Sequence, residues 1–255
     1  MPITVPAHQA VVLPLKLAWP RRIDATAMCI GSAAPDLGYV LGGGGQTHSV
    51  FGLVVFAIPF TLIACQLLRW RAAQGVFGNF PDAGPFRLHS YRVLVERRPG
   101  AGVTFISAVV GTVSHVVVDS FTHKWRWGAN WLGLNETLFT VPWRGEMSGA
   151  RVLQYLGHTA GSFVGVLLFA YIGREHLLER WYGIDAVRSA RSFELSTRDR
   201  VVFWSTTTGV TLVSTAIGVG TGANVVFAFL PAVTIGLLVA GCLRRTSGRP
   251  VQVST

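Results

Sequence analysis

Charge is scarce in this chain. Lys, Arg, Asp and Glu make up 13% of its 255 residues, about half the share of a soluble domain. Acidic residues are the scarcer sign, 12 against 22 Lys and Arg, which leaves a formal charge of +10. The arginines cluster at the ends of apolar runs instead of forming a continuous basic surface, so nucleic acid is not expected as a partner. Cysteine is nearly absent: Cys29, Cys65 and Cys242 stand apart within apolar stretches with no C-x-x-C pair. That excludes a disulfide framework and a thiolate metal site. The GGGG at 42–45 lacks the G-K-[ST] ending of a phosphate loop, and reads as a flexible connection bringing Asp36 toward His48. Internal repeats and low-complexity tracts are also missing.

What the chain has is apolar length. Runs at 49–68, 102–122, 152–173, 201–221 and 223–243 approach the roughly 20 residues needed to cross a bilayer. The expected fold class is all-α, a polytopic transmembrane helix bundle of about five spans. The first 47 residues, broken by proline and glycine, are expected as short re-entrant or interfacial helices; no secretory signal pattern opens the chain, so this segment is expected to stay in the mature protein. The arginine-rich loops 69–101 and 174–200 read as cytoplasmic. A cell-membrane protein with a cytoplasmic C-terminus follows, and the loop 125–150 with Trp125, Trp127, Trp131 and Trp143 becomes an outer interfacial segment. Residues 1–175 are expected to form the domain that carries the chemistry, with 176–255 a two-helix segment packed on it.

Within this apolar background the stretch SHVVVDSFTHKW, 114–125, is out of place. On a helix His115, Asp119 and His123 fall at i, i+4 and i+8 and project from one face. Of the acidic residues, Asp36 and Asp119 are the two read as lying in strongly apolar surroundings, where a carboxylate costs about 2.5–3.5 kcal/mol at the bilayer centre. Their available partners are His8, His48, His115, His123 and His158, since no Lys or Arg lies in the same stretches. The arginine-derived topology gathers these groups at one depth on the extracytoplasmic side. Imidazoles around carboxylates suit a divalent metal, Zn²⁺ first, with Mg²⁺ and Mn²⁺ as alternatives. His89 and His176 fall in the arginine-rich segments and read as ordinary surface histidines.

The order His8, Asp36 in APD, His48 in THS, His115 and Asp119 in H-x-x-x-D, then His123 and His158 resembles the DUF4184 group and its YdjM-like relatives. These are membrane-bound metal-dependent hydrolases of uncharacterised function. The resemblance covers roughly residues 1–175. More distantly the pattern is similar to the zinc-dependent phospholipase C and P1 nuclease superfamily. That second likeness implies one metal among Asp36, His48, His115 and Asp119, a second shared by Asp119 and His8, and a third at His123 and His158, with Asp36 as general base. The carboxylate that the superfamily places four residues after its last histidine is Ser162 here, which leaves Glu136 or Glu146 as substitutes if the outer loop folds back.

The expected function is therefore hydrolysis of a phosphoester or diphosphate of a lipid or isoprenoid amphiphile, with Lys124, Arg126 and Arg144 as weaker candidates to bind the phosphate. Ionisation and cyclisation of a prenyl diphosphate is the alternative chemistry, although no DDxxD-like cluster supports it. A structural membrane protein held by its polar cluster is the non-enzymatic alternative. The oligomeric state is not encoded in these patterns.

Overall fold

The computed structural model describes residues 5–38, 44–82, 84–95, 98–192 and 194–243; Gly42 and Gly43 of the GGGG connection lie outside them. The architecture is an all-α membrane-helix bundle. Four helices are long and apolar enough to cross a bilayer: α5 (Val50–Asn79), α6 (Ala101–Thr122), α8 (Gly149–Arg174) and α11 (Thr197–Gly220). The fifth expected span is the 18-residue α12 (Val225–Cys242), which packs along α11. Between 22 and 33% of each long helix's apolar window is buried. The rest, with Phe51, Val54, Ile63, Leu212 and Val213 exposed, forms an apolar perimeter far too large for contact with water.

Helix ends follow local chemistry. Ser148 caps α8 by accepting from the Arg151 amide, Ser196 and Asp199 form a reciprocal capping box on α11, and Asn224 caps α12. The segment expected as an inner loop from residue 69 behaves differently. Helix α5 runs on to Asn79 through two stretches of π-helix, Leu53–Ala57 and Leu68–Ala72. Two short 3₁₀ helices, Gly84–Phe86 and Leu88–Val95, then lead to α6.

The N-terminal expectation of short membrane-depth helices is realised as a hairpin. Helix α1 (Val5–Ala18) lies along α8, while α2 (Ala25–Gly31) returns along α6. Both approaches depend on glycine: a Cβ on Gly165 would sit 2.3 Å from the Pro6 carbonyl oxygen, and one on Gly111 would sit 2.3 Å from that of Met28. Lys16 closes the turn by donating to the carbonyls of Pro20 and Ile23, the latter at 2.8 Å. Two single-turn helices, α3 (Ala34–Leu37) and α4 (Gly44–Thr47), complete the N-terminal region and are joined by a bond from Thr47 Oγ1 to the Pro35 carbonyl at 2.7 Å.

The tryptophan-rich loop contains α7 (Trp127–Trp131) and, against the helical expectation, an antiparallel hairpin of β1 (Thr137–Val141) and β2 (Gly145–Ser148). A positive φ at Gly145 starts the returning strand. All four tryptophans are exposed, as an interfacial belt requires. At the other end of the bundle, α9 (Leu177–Tyr182) and α10 (Ile184–Arg191) pack with Leu13, Val93 and Ile172 into the largest apolar core.

Candidate metal centre

The end of the bundle where α6 finishes and α8 begins collects the polar residues. Helix α6 presents His115 and Asp119 on one buried face, α1 brings His8, α3 brings Asp36, and His48 follows α4. Because α2 docks on α6, the carbonyl of its cap Ser32 lies 2.7 Å from His115 Nδ1. A carbonyl only accepts, so Nδ1 carries the proton and Nε2 is left with its lone pair. Support of this type from outside the donor set fixes the tautomer of metal-binding histidines.

His115 Nε2 faces His48 Nε2 at 3.1 Å, Asp36 Oδ1 at 3.6 Å and Asp119 Oδ2 at 3.5 Å. His48 Nε2 is 3.4 Å from Asp36 Oδ1 and 3.6 Å from Asp119 Oδ2. Four donor atoms from three separate segments thus stand 3.1–3.6 Å apart across five of their six pairs. The His–Asp separations exceed those of ordinary N–H···O bonds, about 2.7–3.2 Å. They agree with the edges of a tetrahedron whose centre-to-ligand distance is about 2.0–2.1 Å, roughly 3.3–3.4 Å. The donor set fits Zn²⁺.

A second group adjoins the first. Asp119 turns its other oxygen, Oδ1, to His8 Nε2 at 3.7 Å. The His8 ring stacks on His115 with centroids 4.0 Å apart, and His8, His115 and Asp119 each offer a donor atom within 4.8 Å of the others. Burial, and then the adjacent His115 ring, push the His8 imidazole down to about 3, so it is neutral and has a lone pair to offer. Burial alone would raise the Asp36 carboxyl, but the close approach of His48 and the rings of His115 and His8 hold it below the usual carboxylate range.

The remaining candidates separate. His158 is buried, edge-on to His8 at 6.3 Å, and its Nδ1 has no hydrogen-bond partner among the described residues. His123 is 3.8 Å from Asp119 Oδ2, but its Nε2 meets Gln154 Nε2 at 2.8 Å and its side chain is partly exposed. Neither belongs to the two converging groups among the described residues. Glu146 does not fold back: it pairs with Lys124 at 3.9 Å and accepts from Thr137 at 3.1 Å, while Glu136 is exposed. Arg144 donates to the Tyr155 hydroxyl at 3.0 Å, and Arg126 is half-buried.

One buried carboxylate escaped the sequence reading. Asp24 is 1% exposed and pairs with Arg69, itself 4% exposed. Thr104 donates to Asp24 Oδ2 at 2.7 Å, and the Asp24 amide donates to Ser107 at 2.9 Å. The expectation of a loop from residue 69 places Arg69 outside the apolar interior; the continuation of α5 instead turns Cys65, Arg69 and Ala72 inward. The available signals were the i, i+4, i+7 spacing of those three residues and the capping position of Asp24 before ATAM.

The fold and these geometries define a membrane-helix protein with a buried His/Asp cluster. The chain belongs to the DUF4184 family, described as a domain of unknown function, which it matches over residues 1–244. The match extends past the expected limit near residue 175 and includes α11 and α12. No curated protein and no solved structure matches the chain.

Proposed function

We propose that the chain is a membrane metalloenzyme hydrolysing a phosphoester or diphosphate of a lipid or isoprenoid amphiphile. The observation that supports this most strongly is the convergence of His48 Nε2 and His115 Nε2, 3.1 Å apart, with Asp36 Oδ1 and Asp119 Oδ2 each 3.4–3.6 Å from both. Zn²⁺ held there, expanding to five ligands to admit a water, would lower the pKa of that water toward about 7 and could polarise a phosphoryl oxygen.

The chain's own residues set the remaining roles. Asp36 has the more open of the two carboxylates, with its side chain 20% exposed against 8% for Asp119. In this reading it takes the proton that water loses as its oxygen bonds to phosphorus; the P–O bond to the leaving group breaks, and Asp36 passes that proton to the departing oxygen. Asp119, with one oxygen toward each donor group, holds the two together. His8, and His158 Nδ1, which has no partner among the described residues, extend the donors toward a second cation. The exposed tryptophans of the adjoining loop suit a substrate whose tail stays in lipid, and Arg126, Lys124 and Arg144 lie in that same loop as candidates for its phosphate.

The test uses purified protein with lipid phosphate monoesters, phosphodiesters and prenyl diphosphates. Released phosphate or diphosphate is measured, together with the organic product. A free alcohol whose formation stops with chelator and returns with Zn²⁺ supports the reading. A cyclised hydrocarbon from prenyl diphosphate, or activity indifferent to chelation, contradicts it.

A further inference from the structure

At the other end of the bundle, roughly 24 Å along α8 from His158 to Arg174, a cavity of about 560 Å³ opens between the 3₁₀ segment, α9 and α10. Arg87, Arg180, Arg188 and Arg191 line it, with Glu179 the one carboxylate among the described lining residues. Arg87 and His176 both have left-handed backbones, φ 48° and 54°, which few non-glycine residues adopt. Their side chains meet at the cavity wall, Arg87 Nη1 lying 2.6 Å from His176 Nε2. Glu179 stabilises that contact, 3.0 Å from Arg87 Nη2 and 3.3 Å from His176 Nδ1. Arg191 is likewise engaged, by Asp82 at 2.5 Å and Ser90 at 2.9 Å. Arg188 reaches Asp185 only at 3.9 Å, with both side chains open to solvent, and Arg180 has no ion pair among the described residues.

We propose that this cavity is a binding site for a phosphate-bearing anion, taken either from an anionic lipid headgroup or from a soluble phosphate. The volume lies within the range of small-ligand sites, about 300–1,000 Å³. Guanidinium groups present paired N–H donors that match phosphate oxygens, and the nearest carboxylates are engaged with Arg87, His176 and Arg191. Boundary arginines unrelated to a site would be spread over the surface; these four line one concavity. Ile184, 62% exposed, adds an apolar residue to its wall, which suits a lipid.

The full chain in maltoside detergent is titrated with short-chain phosphatidic acid in one arm and inorganic phosphate in the other. Wild type is compared with Arg180→Gln/Arg188→Gln and with Arg174→Gln/Arg200→Gln, which removes equal charge from exposed positions at the same end. At least one arm saturates for wild type. The first double variant weakens that binding at least about tenfold and the second by less than about twofold, with unchanged thermal unfolding. Saturation with phosphatidic acid alone identifies a lipid headgroup; saturation in both arms identifies the phosphate group itself. The proposal is overturned if neither arm saturates or if the two double variants lose binding equally.

Discussion

His48 and His115 bring their Nε2 atoms to 3.1 Å. The Nδ1 proton of His115 is committed to Ser32, so the proton between the two rings resides on His48. It occupies the point toward which Asp36 and Asp119 also turn. A cation entering there must displace it, and because a ligating imidazole stays neutral, the proton passes to His48 Nδ1, which lies 3.5 Å from Thr47 Oγ1. Titration with Zn²⁺ at about pH 6, where a zinc-bound water keeps its proton, is expected to release far less than about one proton per chain at the first site. Calorimetry in buffers of differing ionisation enthalpy measures this as a heat that hardly changes from buffer to buffer, and His48→Ala is expected to abolish the binding heat of that site.

The histidines are expected to differ in effect. His48→Ala removes a member of the converging set and is expected to strip the first metal. His158→Ala and His123→Ala are expected to leave that metal in place, because His158 reaches only the His8 side and His123 is engaged by Gln154. Metal-to-protein ratios of the three purified variants check this ordering.

The Asp24–Arg69 pair is expected to act on stability alone. Removing one partner leaves the other charge buried, a loss of about 3–5 kcal/mol. Asp24→Ala and Arg69→Met are each expected to unfold at lower temperature than wild type, and the double substitution to recover part of the loss. Thermal melts in detergent measure this, and metal content in the folded fraction is expected to be unchanged.

Close helix approach supports the donors from a distance. Gly165→Ala puts a Cβ against the Pro6 carbonyl, pushing α1 away from α8 and His8 from Asp119. A destabilisation of about 1–3 kcal/mol is expected, with any His8-dependent metal lost before the first one. Gly157→Ala is the control, since nothing lies within 4 Å of its Cβ. Melting curves and metal stoichiometry for the two variants separate the outcomes.

Much of this was legible in the residues. Apolar run length gave the long spans, and i, i+4 spacing placed His115 and Asp119 on one face of α6. What periodicity cannot encode is the partner of a backbone atom: the Ser32 carbonyl that orients His115 depends on how α2 docks against α6. Arg69 was misread because charge next to an apolar run usually marks its end, whereas α5 continues for ten more residues to Asn79. The β-hairpin was missed because TLFTV and GEMS are short and their strand signal was masked by an aromatic loop composition.

The central claim is that Asp36, His48, His115 and Asp119 hold a metal, and elemental analysis of the purified wild type beside Asp119→Ala tests it most directly. The wild type is expected to carry, or to take up from added Zn²⁺, at least about one equivalent per chain, and the folded variant less than about a tenth of that. A wild type that neither contains nor takes up a divalent metal, or a variant that retains the wild-type ratio, would contradict the account.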